Sequence, residues 1–233
     1  MCGIFGYAGL NKNEFLLQRM AGKMMHRGPD DNGFLIGDRI GMGMVRLSII
    51  DIAGGHQPIF NKNKTKAIFF NGEIYNYKDL TGDLKKKGYP FRTSCDTETI
   101  LHLYEEYGAN CVNHLRGIFS FAIYDIPNQK LFLARDRLGV KPLYFWQKDG
   151  RLVFASEIKS ILEYDEVPRE PNLSSIDSYL TFRYSPGPQT MFKEIKKFPA
   201  AHWALWEKGQ LHFENYWEPP VHSGPYEPDS YYH

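Results

Sequence analysis

The amino-acid sequence predicts an α+β fold. Short strand segments open the chain, amphipathic helical segments follow, and strand segments return in the second half. This grouping favours α+β over the regular strand–helix alternation of a parallel sheet. The length of 233 residues, 42% of them hydrophobic, is typical of a globular protein with one large domain or two small ones.

The first elements follow from local periodicity. Residues 2–9 alternate small and apolar side chains, which predicts a strand. Residues 13–26 have the apolar spacing of a helix, with Asn13 as its N-cap. Residues 27–33 have the composition of a loop. Further strands are predicted at 34–36, 40–47 and 66–71.

The helices and strands of the second half are predicted from the same local signals. Asn76 can cap a helix over 77–87, and another helix begins near Ser94 and ends near Tyr107, where Gly108 suits a helix stop. Strands are predicted at 117–125, 130–135, 143–146 and 151–155, followed by a helix over 173–182 and a hairpin of 201–206 with 210–213. Asp149-Gly150 suits a hairpin turn.

Two parts of the chain differ in composition. Residues 1–217 hold the predicted elements and form the predicted domain, whereas residues 218–233 contain four prolines and no apolar period. We interpret the second part as a linker or tail.

Composition excludes several classes of protein. Lys and Arg total 28 against 27 Asp and Glu, so neither nucleic acid nor an anionic membrane is an expected partner. No apolar run reaches the roughly 18 residues that a membrane helix needs. Three cysteines do not make a disulfide framework, and no Cys/His cluster suggests a structural metal. We expect a cytoplasmic protein without a metal.

Cys2 has two interpretations. As a small apolar side chain near the start of a strand, it can simply be buried. Its position offers another role, because Met1 is readily removed when the second residue is small. Cys2 then carries a thiol and an α-amine, whose ordinary pKa values are about 8.5 and about 7.7–8.0. The amine can therefore act as the base that activates the thiol as a nucleophile.

Asn71-Gly72 follows an apolar strand and is open to two interpretations as well. Asn-Gly is a strong signal for a hairpin turn. The same pair can form an oxyanion hole, since Asn supplies a side-chain amide donor and Gly allows a substrate oxygen to approach its backbone N–H.

Charged residues near apolar segments give further candidates. Arg46 ends an apolar stretch and needs an anionic partner, in the protein or in a ligand. Asp96 can cap a helix, or it can pair with Arg46 as the second end of a clamp for a free amino acid. We interpret the charged segments 134–143 and 156–159 as salt-bridged loops, with a surface that faces another domain as the alternative.

The order of these motifs resembles one family. The sequence is similar to the N-terminal class II glutamine amidotransferase (glutaminase) domain of glutamine-hydrolysing asparagine synthetases of the bacterial type. The resemblance spans residues 2–217, and Lys141-Pro-Leu-Tyr144 with Ser156-Glu-Ile-Lys159 points to the asparagine synthetase branch. The other matching motifs are Met1-Cys-Gly-Ile-Phe-Gly6, His26-Arg-Gly-Pro-Asp-Asp31, Arg46-Leu-Ser-Ile-Ile-Asp51, Gly54-Gly-His-Gln-Pro58, Asn71-Gly-Glu-Ile-Tyr-Asn76, Cys95-Asp-Thr-Glu98, Gly117-Ile-Phe-Ser-Phe-Ala122 and Ala134-Arg-Asp-Arg-Leu-Gly139.

The resemblance implies a fold and a reaction. The fold is that of N-terminal-nucleophile (Ntn) hydrolases, a four-layer αββα sandwich. Cys2 attacks the side-chain amide of L-glutamine, ammonia leaves, and water hydrolyses the thioester to glutamate. The resemblance also assigns roles: Asn71 and the Gly72 N–H to the oxyanion hole, Arg46 to the α-carboxylate, Asp96 with Glu73 to the α-amine, and the backbone near Leu47, Ile49 and Ile50 to the pocket wall.

The resembled enzymes continue into an ATP-binding synthetase domain with a Ser-Gly-Gly-x-Asp-Ser loop. This sequence has no such loop. We therefore expect no cofactor in this chain, with ATP and Mg²⁺ bound only by a synthetase domain in the full-length protein or in a separate chain. The chain alone is expected to hydrolyse glutamine without making asparagine. The sequence leaves homodimer formation open.

Two alternatives remain at the level of the sequence. One is the glutaminase domain of an amidotransferase with a sugar-phosphate or phosphoribosyl acceptor, against which the run from Arg135 to Tyr144 argues. The other is a non-catalytic module for glutamine sensing or assembly. An N-terminal Cys2 freed of Met1 favours catalysis, whereas a retained Met1 favours the non-catalytic module.

Overall fold

The computed structural model describes residues 1–48 and 55–220. Their strands are β1 Gly3–Ala8, β2 Asp31–Ile36, β3 Ile40–Arg46, β4 Ile59–Phe60, β5 Lys66–Ile74, β6 Gly117–Asp125, β7 Lys130–Arg135, β8 Tyr144–Lys148, β9 Arg151–Ala155, β10 Lys196–Lys197, β11 His202–Glu207 and β12 Gln210–Asn215. Their helices are α1 Glu14–Gly22, α2 Tyr77–Lys86, α3 Asp96–Tyr107, α4 Cys111–His114, α5 Ile158–Ile161 and α6 Leu173–Phe182.

The strands form two six-stranded sheets. The first has the order β10-β8-β9-β1-β3-β2, and the second has the order β12-β11-β7-β6-β5-β4. All pairings between these strands are antiparallel. The predicted α+β class is therefore confirmed.

Three apolar cores separate four layers. The first lies between the sheets and contains Ile4 and Phe69. The second joins the second sheet to α2 and α3, and Ile100 lies in it. The third joins the first sheet to α1 and α5 and contains Phe5 and Leu17. Because neighbouring strand residues face opposite sides, each sheet is apolar on both faces and is covered on both. The expected αββα layering is confirmed.

Local signals explain the first helix and one hairpin. The Asn13 side chain accepts a hydrogen bond from the Leu16 N–H at 2.9 Å, as predicted for the N-cap of α1. This helix ends at Gly22, earlier than predicted, and a 3₁₀ turn follows over Met25–Arg27. The turn between β8 and β9 has positive φ at Asp149 and Gly150, which is the geometry of the predicted tight hairpin.

The prediction that segment 134–143 is a salt-bridged loop is wrong. Arg135 forms no ion pair within the described residues, because its guanidinium donates to three backbone carbonyl oxygens. The Asp136 carboxylate accepts hydrogen bonds from four backbone N–H groups. These two charges hold the turn after β7 by bonding to the main chain. Segment 156–159 is salt-bridged as predicted, through Glu157 and Lys159.

Two predictions reach residues outside the described part of the chain. Ile49 and Ile50 lie there, as do residues 221–233 of the predicted tail. Residues 216–220 are described and have no regular secondary structure. The division at residue 217 stays a prediction.

Candidate active site

A cavity of about 120 Å³ lies where the two sheets meet the start of α3. Seven of the nine predicted site residues line it: Cys2, Arg46, Leu47, Asn71, Gly72, Glu73 and Asp96. The other two, Ile49 and Ile50, lie outside the described residues. The remaining lining residues are Met1, Gly55, Gln57, Phe70, Cys95, Thr97 and Lys141.

Cys2 and Arg46 come together because of strand pairing. The antiparallel register of β1 and β3 places Gly3 opposite Val45, so the residue before β1 lies beside the last residue of β3. The Cys2 thiol is partly buried and donates a hydrogen bond to the Leu47 carbonyl oxygen, with Sγ 3.6 Å from that oxygen. Met1 lies at the same cavity and is 60% exposed. Removal of Met1 would free the α-amine beside the cavity.

Asn71 and Gly72 lie inside β5, so the interpretation of this pair as a turn is wrong. They pair with Ser120 and Phe119 of β6. The Asn71 side chain is buried, and its Nδ2 has no hydrogen-bond partner within the described residues. A buried amide donor without a partner costs about 1–3 kcal/mol. An amide in this state is a donor available to a substrate oxygen.

The Gly72 N–H faces the cavity side of β5. Along a strand, every second N–H points to the same edge. On either side of Gly72, the Phe70 N–H donates to Gln57 Oε1 at 2.7 Å and the Ile74 N–H donates to Asp96 Oδ2 at 3.0 Å. Both acceptors belong to residues that line the cavity. The Gly72 N–H therefore lies on the same edge, between these two bonds.

Glycine is also required at position 72 by packing. A Cβ added there would lie 2.2 Å from the Ile118 carbonyl oxygen and 2.7 Å from the Phe119 Cα. These are contacts with backbone atoms of β6, which cannot turn away as a side chain would. The close approach of the two strands thus excludes a larger residue at this end of the site.

Asp96 is the first residue of α3 and is 4% exposed. Burial raises the pKa of its carboxyl from 3.8 to about 6, against the effect of backbone N–H bonds from Ile74, Thr97 and its own amide, and the nearby Glu73 carboxylate raises it further. The two acidic side chains create a local negative potential. Such a potential favours a bound ammonium group.

Arg46 is 6% exposed and is supported by the segment after α1. The Asp30 N–H donates to the Arg46 carbonyl oxygen at 3.2 Å, and Asp30 Oδ2 accepts from the Ser48 N–H at 2.8 Å. A Cβ at Gly28 would come within 2.5 Å of the Arg46 backbone. The motif His26-Arg-Gly-Pro-Asp-Asp31 thus holds the segment that carries Arg46 and Leu47.

The buried side chains of Gln57 and Thr97 were not singled out from the sequence. Besides accepting the bond from Phe70, Gln57 donates from Nε2 to Thr97 Oγ1 at 3.3 Å. It therefore links the edge of β5 to the start of α3, between the oxyanion candidates and Asp96. Gln57 belongs to the motif that ends at Pro58, and a polar residue in an aperiodic segment has no pattern that predicts burial.

The described residues contain no group of three or more His, Cys, Asp or Glu side chains arranged to hold a metal ion. No helix in this part of the chain is long and apolar enough to cross a membrane. The cavity combines a thiol, an unpartnered amide donor, a cation and two carboxylates. These groups can bind a free amino acid at both ends and attack a carbonyl carbon in its side chain.

Comparison with solved structures identifies the fold. Glutamine phosphoribosylpyrophosphate amidotransferase of Bacillus subtilis, solved with ADP and GMP, matches with a TM-score of 0.70 and 18% sequence identity. The match covers 94% of this chain and 50% of that chain. This likeness confirms the predicted Ntn hydrolase fold.

Comparison with curated proteins gives closer relatives. Asparagine synthetase [glutamine-hydrolyzing] 3 of Bacillus subtilis is 37% identical over an alignment of length 224 that covers 93% of this chain and 36% of that protein. Asparagine synthetase [glutamine-hydrolyzing] 1 of the same organism is 36% identical over 94% of this chain and 35% of its own length. The chain thus spans about a third of the length of these relatives. The model of the glutamine amidotransferase domain family matches residues 1–217. The chain belongs to this family.

Proposed function

We propose that this chain hydrolyses L-glutamine to glutamate and ammonia, as the ammonia-supplying half of an asparagine synthase (glutamine-hydrolysing). The observation that carries the proposal is that Cys2, Asn71, Arg46 and Asp96 line the same cavity, and that the Asn71 amide has no partner in the part of the chain that the structure describes. Membership of the amidotransferase family supports the reaction class.

Met1 is removed before the reaction can begin. The α-amine of Cys2 then takes the proton of the thiol, directly or through a water, because the two groups have similar ordinary pKa values. The thiolate attacks the side-chain carbonyl carbon of glutamine. Before attack, the Leu47 carbonyl oxygen holds the thiol by the hydrogen bond at 3.6 Å.

The negative charge that develops on the amide oxygen is bound by Asn71 Nδ2 and the Gly72 N–H. Preorganised donors of this kind stabilise the transition state without reorganising during the reaction. The Cys2 α-ammonium group gives the proton to the amide nitrogen, the C–N bond of the tetrahedral intermediate breaks, ammonia leaves, and a thioester between Cys2 and the glutamyl group remains. Water then attacks the thioester, glutamate leaves, and the thiol is restored.

The ends of the substrate are held by opposite charges. The Arg46 guanidinium binds the α-carboxylate, and Asp96 with Glu73 binds the α-ammonium group. Two charged anchors fix both the position and the orientation of the side-chain amide relative to Cys2. This arrangement discriminates against amides that are not part of a free amino acid.

The relatives named above are asparagine synthetases about three times as long as the matched region. We infer that an ATP-binding synthetase domain, in the full-length protein or in a separate chain, receives the ammonia. ATP and Mg²⁺ belong to that domain. We also infer a reducing compartment, the cytoplasm, because Cys2, Cys95 and Cys111 are all free thiols.

The test combines intact mass with a glutaminase assay on wild type, Cys2→Ala and Cys111→Ala. We expect loss of Met1 in wild type, ammonia release that depends on glutamine, and no release by Cys2→Ala. Cys111→Ala is the matched control, since that thiol lies in the apolar core away from the cavity. Ammonia release that persists in Cys2→Ala would contradict the mechanism. A chain that retains Met1, binds glutamine and does not hydrolyse the glutamine would instead favour a sensing module.

A further inference from the structure

Close to Cys2, the segment after β9 is tied to β1 by two hydrogen bonds. The Ile4 N–H donates to Ser156 Oγ at 3.0 Å, and the Ser156 N–H donates to the Ile4 carbonyl oxygen at 2.8 Å. The first of these bonds is buried, and Ser156 is 0% exposed. Glu157 therefore starts from a backbone position that is fixed relative to the N-terminal strand.

The side chains of Arg27, His26 and Lys159 surround the Glu157 carboxylate. Arg27 Nη1 donates to Oε1 at 2.9 Å, His26 Nε2 lies 3.0 Å from the same oxygen, and Lys159 Nζ forms an ion pair with Oε2 at 3.0 Å. The side chains of His26 and Lys159 are about half exposed, at 54% and 50%, whereas that of Arg27 is 10% exposed. Exposed ion pairs contribute little, so the buried contact with Arg27 is the one with structural weight.

Arg27 also contacts Cys2 itself. Its Nε donates to the Cys2 carbonyl oxygen at 2.9 Å. Its side chain lies against Gly3, where an added Cβ would be 3.2 Å from Arg27 Cδ. The guanidinium is planar and rigid, so the direction of its Nη1–H fixes the direction of its Nε–H. A carboxylate that holds Nη1 therefore also aims Nε at Cys2.

Cys2 needs such a support more than an internal residue does. Once Met1 is removed, no preceding peptide group holds the α-amine. Rotation about the Cys2 Cα–C bond then moves the amine and the thiol together relative to the carbonyl group. The bond from Arg27 to the carbonyl oxygen, together with the pairing of Gly3 onward, fixes the carbonyl group and with it the position of the Cα atom that carries the amine and the thiol.

We propose that Glu157 is a positioning residue for the nucleophile: by holding Arg27 against the Cys2 carbonyl group, it keeps the thiol and the α-amine in the geometry required for attack. The proposal rests on the glutaminase function proposed above. Glu157 does not line the cavity within the described residues, so it acts through Arg27 without touching the substrate. Small displacements of a reacting group can cost about 100-fold in rate, which makes such a support consequential.

The first experiment compares Glu157→Gln with Lys159→Met on the full chain. We expect Glu157→Gln to lower kcat by about 10-fold or more with KM within about 2-fold of wild type, because substrate anchoring is untouched. Lys159→Met removes an exposed partner of the same carboxylate and leaves the contact with Arg27, so its kcat should stay close to that of wild type. Equal kcat values for Glu157→Gln and Lys159→Met would overturn the proposal.

A double-mutant cycle with Arg27→Met separates positioning from general stabilisation. If Glu157 acts through Arg27, then adding Glu157→Gln to Arg27→Met causes no further loss of kcat. Losses that multiply would show that Glu157 acts by another route and would overturn the proposal. If Glu157→Gln does not fold, Glu157→Asp takes its place in the cycle; it keeps the charge but is one methylene shorter, and the same two outcomes decide.

The rate of Cys2 alkylation by iodoacetamide gives a readout that does not require glutamine turnover. Cys95 and Cys111 are buried, and peptide mapping identifies the modified residue. We expect a changed rate of Cys2 alkylation in Glu157→Gln near neutral pH, because a displaced thiol loses its hydrogen bond to the Leu47 carbonyl oxygen. An unchanged rate and pH profile would overturn the proposal. If Cys2 of the wild-type chain is alkylated but the chain releases no ammonia, the proposed glutaminase function is contradicted and the positioning role of Glu157 is not.

Discussion

At the scale of single residues, Asn71 and Asp96 have properties that a purely structural role does not explain. Asn71 buries an amide donor that has no partner among the described residues, and Asp96 buries a carboxyl whose pKa is raised to about 6. Both states cost folding free energy. A substrate removes both costs, because its oxyanion accepts a hydrogen bond from the Asn71 amide and its ammonium group pairs with the Asp96 carboxylate.

Asn71→Leu should lower kcat by about 100- to 1000-fold with little change in KM, because the amide is proposed to act on charge that develops only in the transition state. Steady-state glutaminase kinetics measure both values. Ser120→Ala is the matched control: Ser120 lies directly opposite Asn71 on β6, and its Oγ is likewise buried without a partner in the described part of the chain. Since Ser120 does not line the cavity, its variant should keep full activity. A normal kcat in Asn71→Leu would refute the oxyanion assignment.

Asp96→Asn should lower kcat/KM for glutamine by about 10- to 100-fold, since the charge for the ammonium group is lost. It should also stabilise the chain at pH 8 by about 1–3 kcal/mol in chemical denaturation, because the raised pKa means that ionised Asp96 opposes folding above pH 6. A variant that loses activity and also stability at pH 8 would argue for a structural role.

The same raised pKa predicts a pH dependence for the wild type. Below about pH 6 the Asp96 carboxyl is protonated in the free protein, so kcat/KM should fall as the pH decreases through that value. The acid limb should be absent from the residual activity of Asp96→Asn. An acid limb with the same midpoint in both proteins would assign it to another group.

At the scale of elements, α3 fixes the loop before it through a buried ionic cluster. Glu98 accepts hydrogen bonds from the Arg92 and Thr93 N–H groups, and His102 Nε2 lies 2.9 Å from the Pro90 carbonyl oxygen. His102 Nδ1 lies 2.8 Å from Glu105 Oε2. Although burial lowers the pKa of His102, the two glutamates raise it to about 9. This cluster fixes the loop that leads into Asp96.

The cluster predicts a loss of stability at alkaline pH. A histidine whose folded-state pKa is raised contributes stability that is complete below its ordinary pKa and is lost as the pH rises through about 9. Wild type should therefore lose on the order of 2 kcal/mol of unfolding free energy between pH 7 and pH 10 in urea. His102→Gln should show a smaller loss over the same range. Parallel pH profiles for the two proteins would contradict the pKa assignment.

At the scale of the whole molecule, the site exists only because two sheets face each other. Cys2 directly precedes the first sheet's strand β1 and Arg46 ends its strand β3, whereas Asn71 and Gly72 belong to the second sheet. The apolar core between the sheets contains Phe69, which is 0% exposed. The size of its side chains determines how far the nucleophile lies from the oxyanion donors.

Phe69→Leu should therefore lower kcat by about 10-fold or more as well as stability, since a change of about 1 Å in this spacing misplaces the nucleophile. Phe132→Leu is the matched control, because Phe132 is equally buried in the second sheet but faces the helices. It should lose a similar stability, on the order of 1–3 kcal/mol, with kcat nearly unchanged. Thermal unfolding and steady-state kinetics test this pair, and equal kcat losses would contradict the role of sheet spacing.

Some elements were predicted with the same bounds that the structure shows, namely Gly117–Asp125, Lys130–Arg135, Arg151–Ala155 and Leu173–Phe182. Each of these segments is long enough to show an apolar period, and the residues at its ends break that period. Four short elements, β4, β10, α4 and α5, have two or four residues and were not predicted. Such segments are too short for a period, and their form depends on the neighbours they pair with.

The sequence by itself determined the class of the fold, the order of its main elements and, through its resemblance to a family, which residues to examine at the site. Local periodicity and motif order are properties of neighbouring residues, so they can be read directly. Only the tertiary structure decided that Asn71-Gly72 continues a strand, that the Asn71 amide has no partner in residues 1–48 and 55–220, and that Glu157 reaches Cys2 through Arg27. These properties depend on distances between residues up to 130 positions apart, which are set by strand register and packing across the sheets.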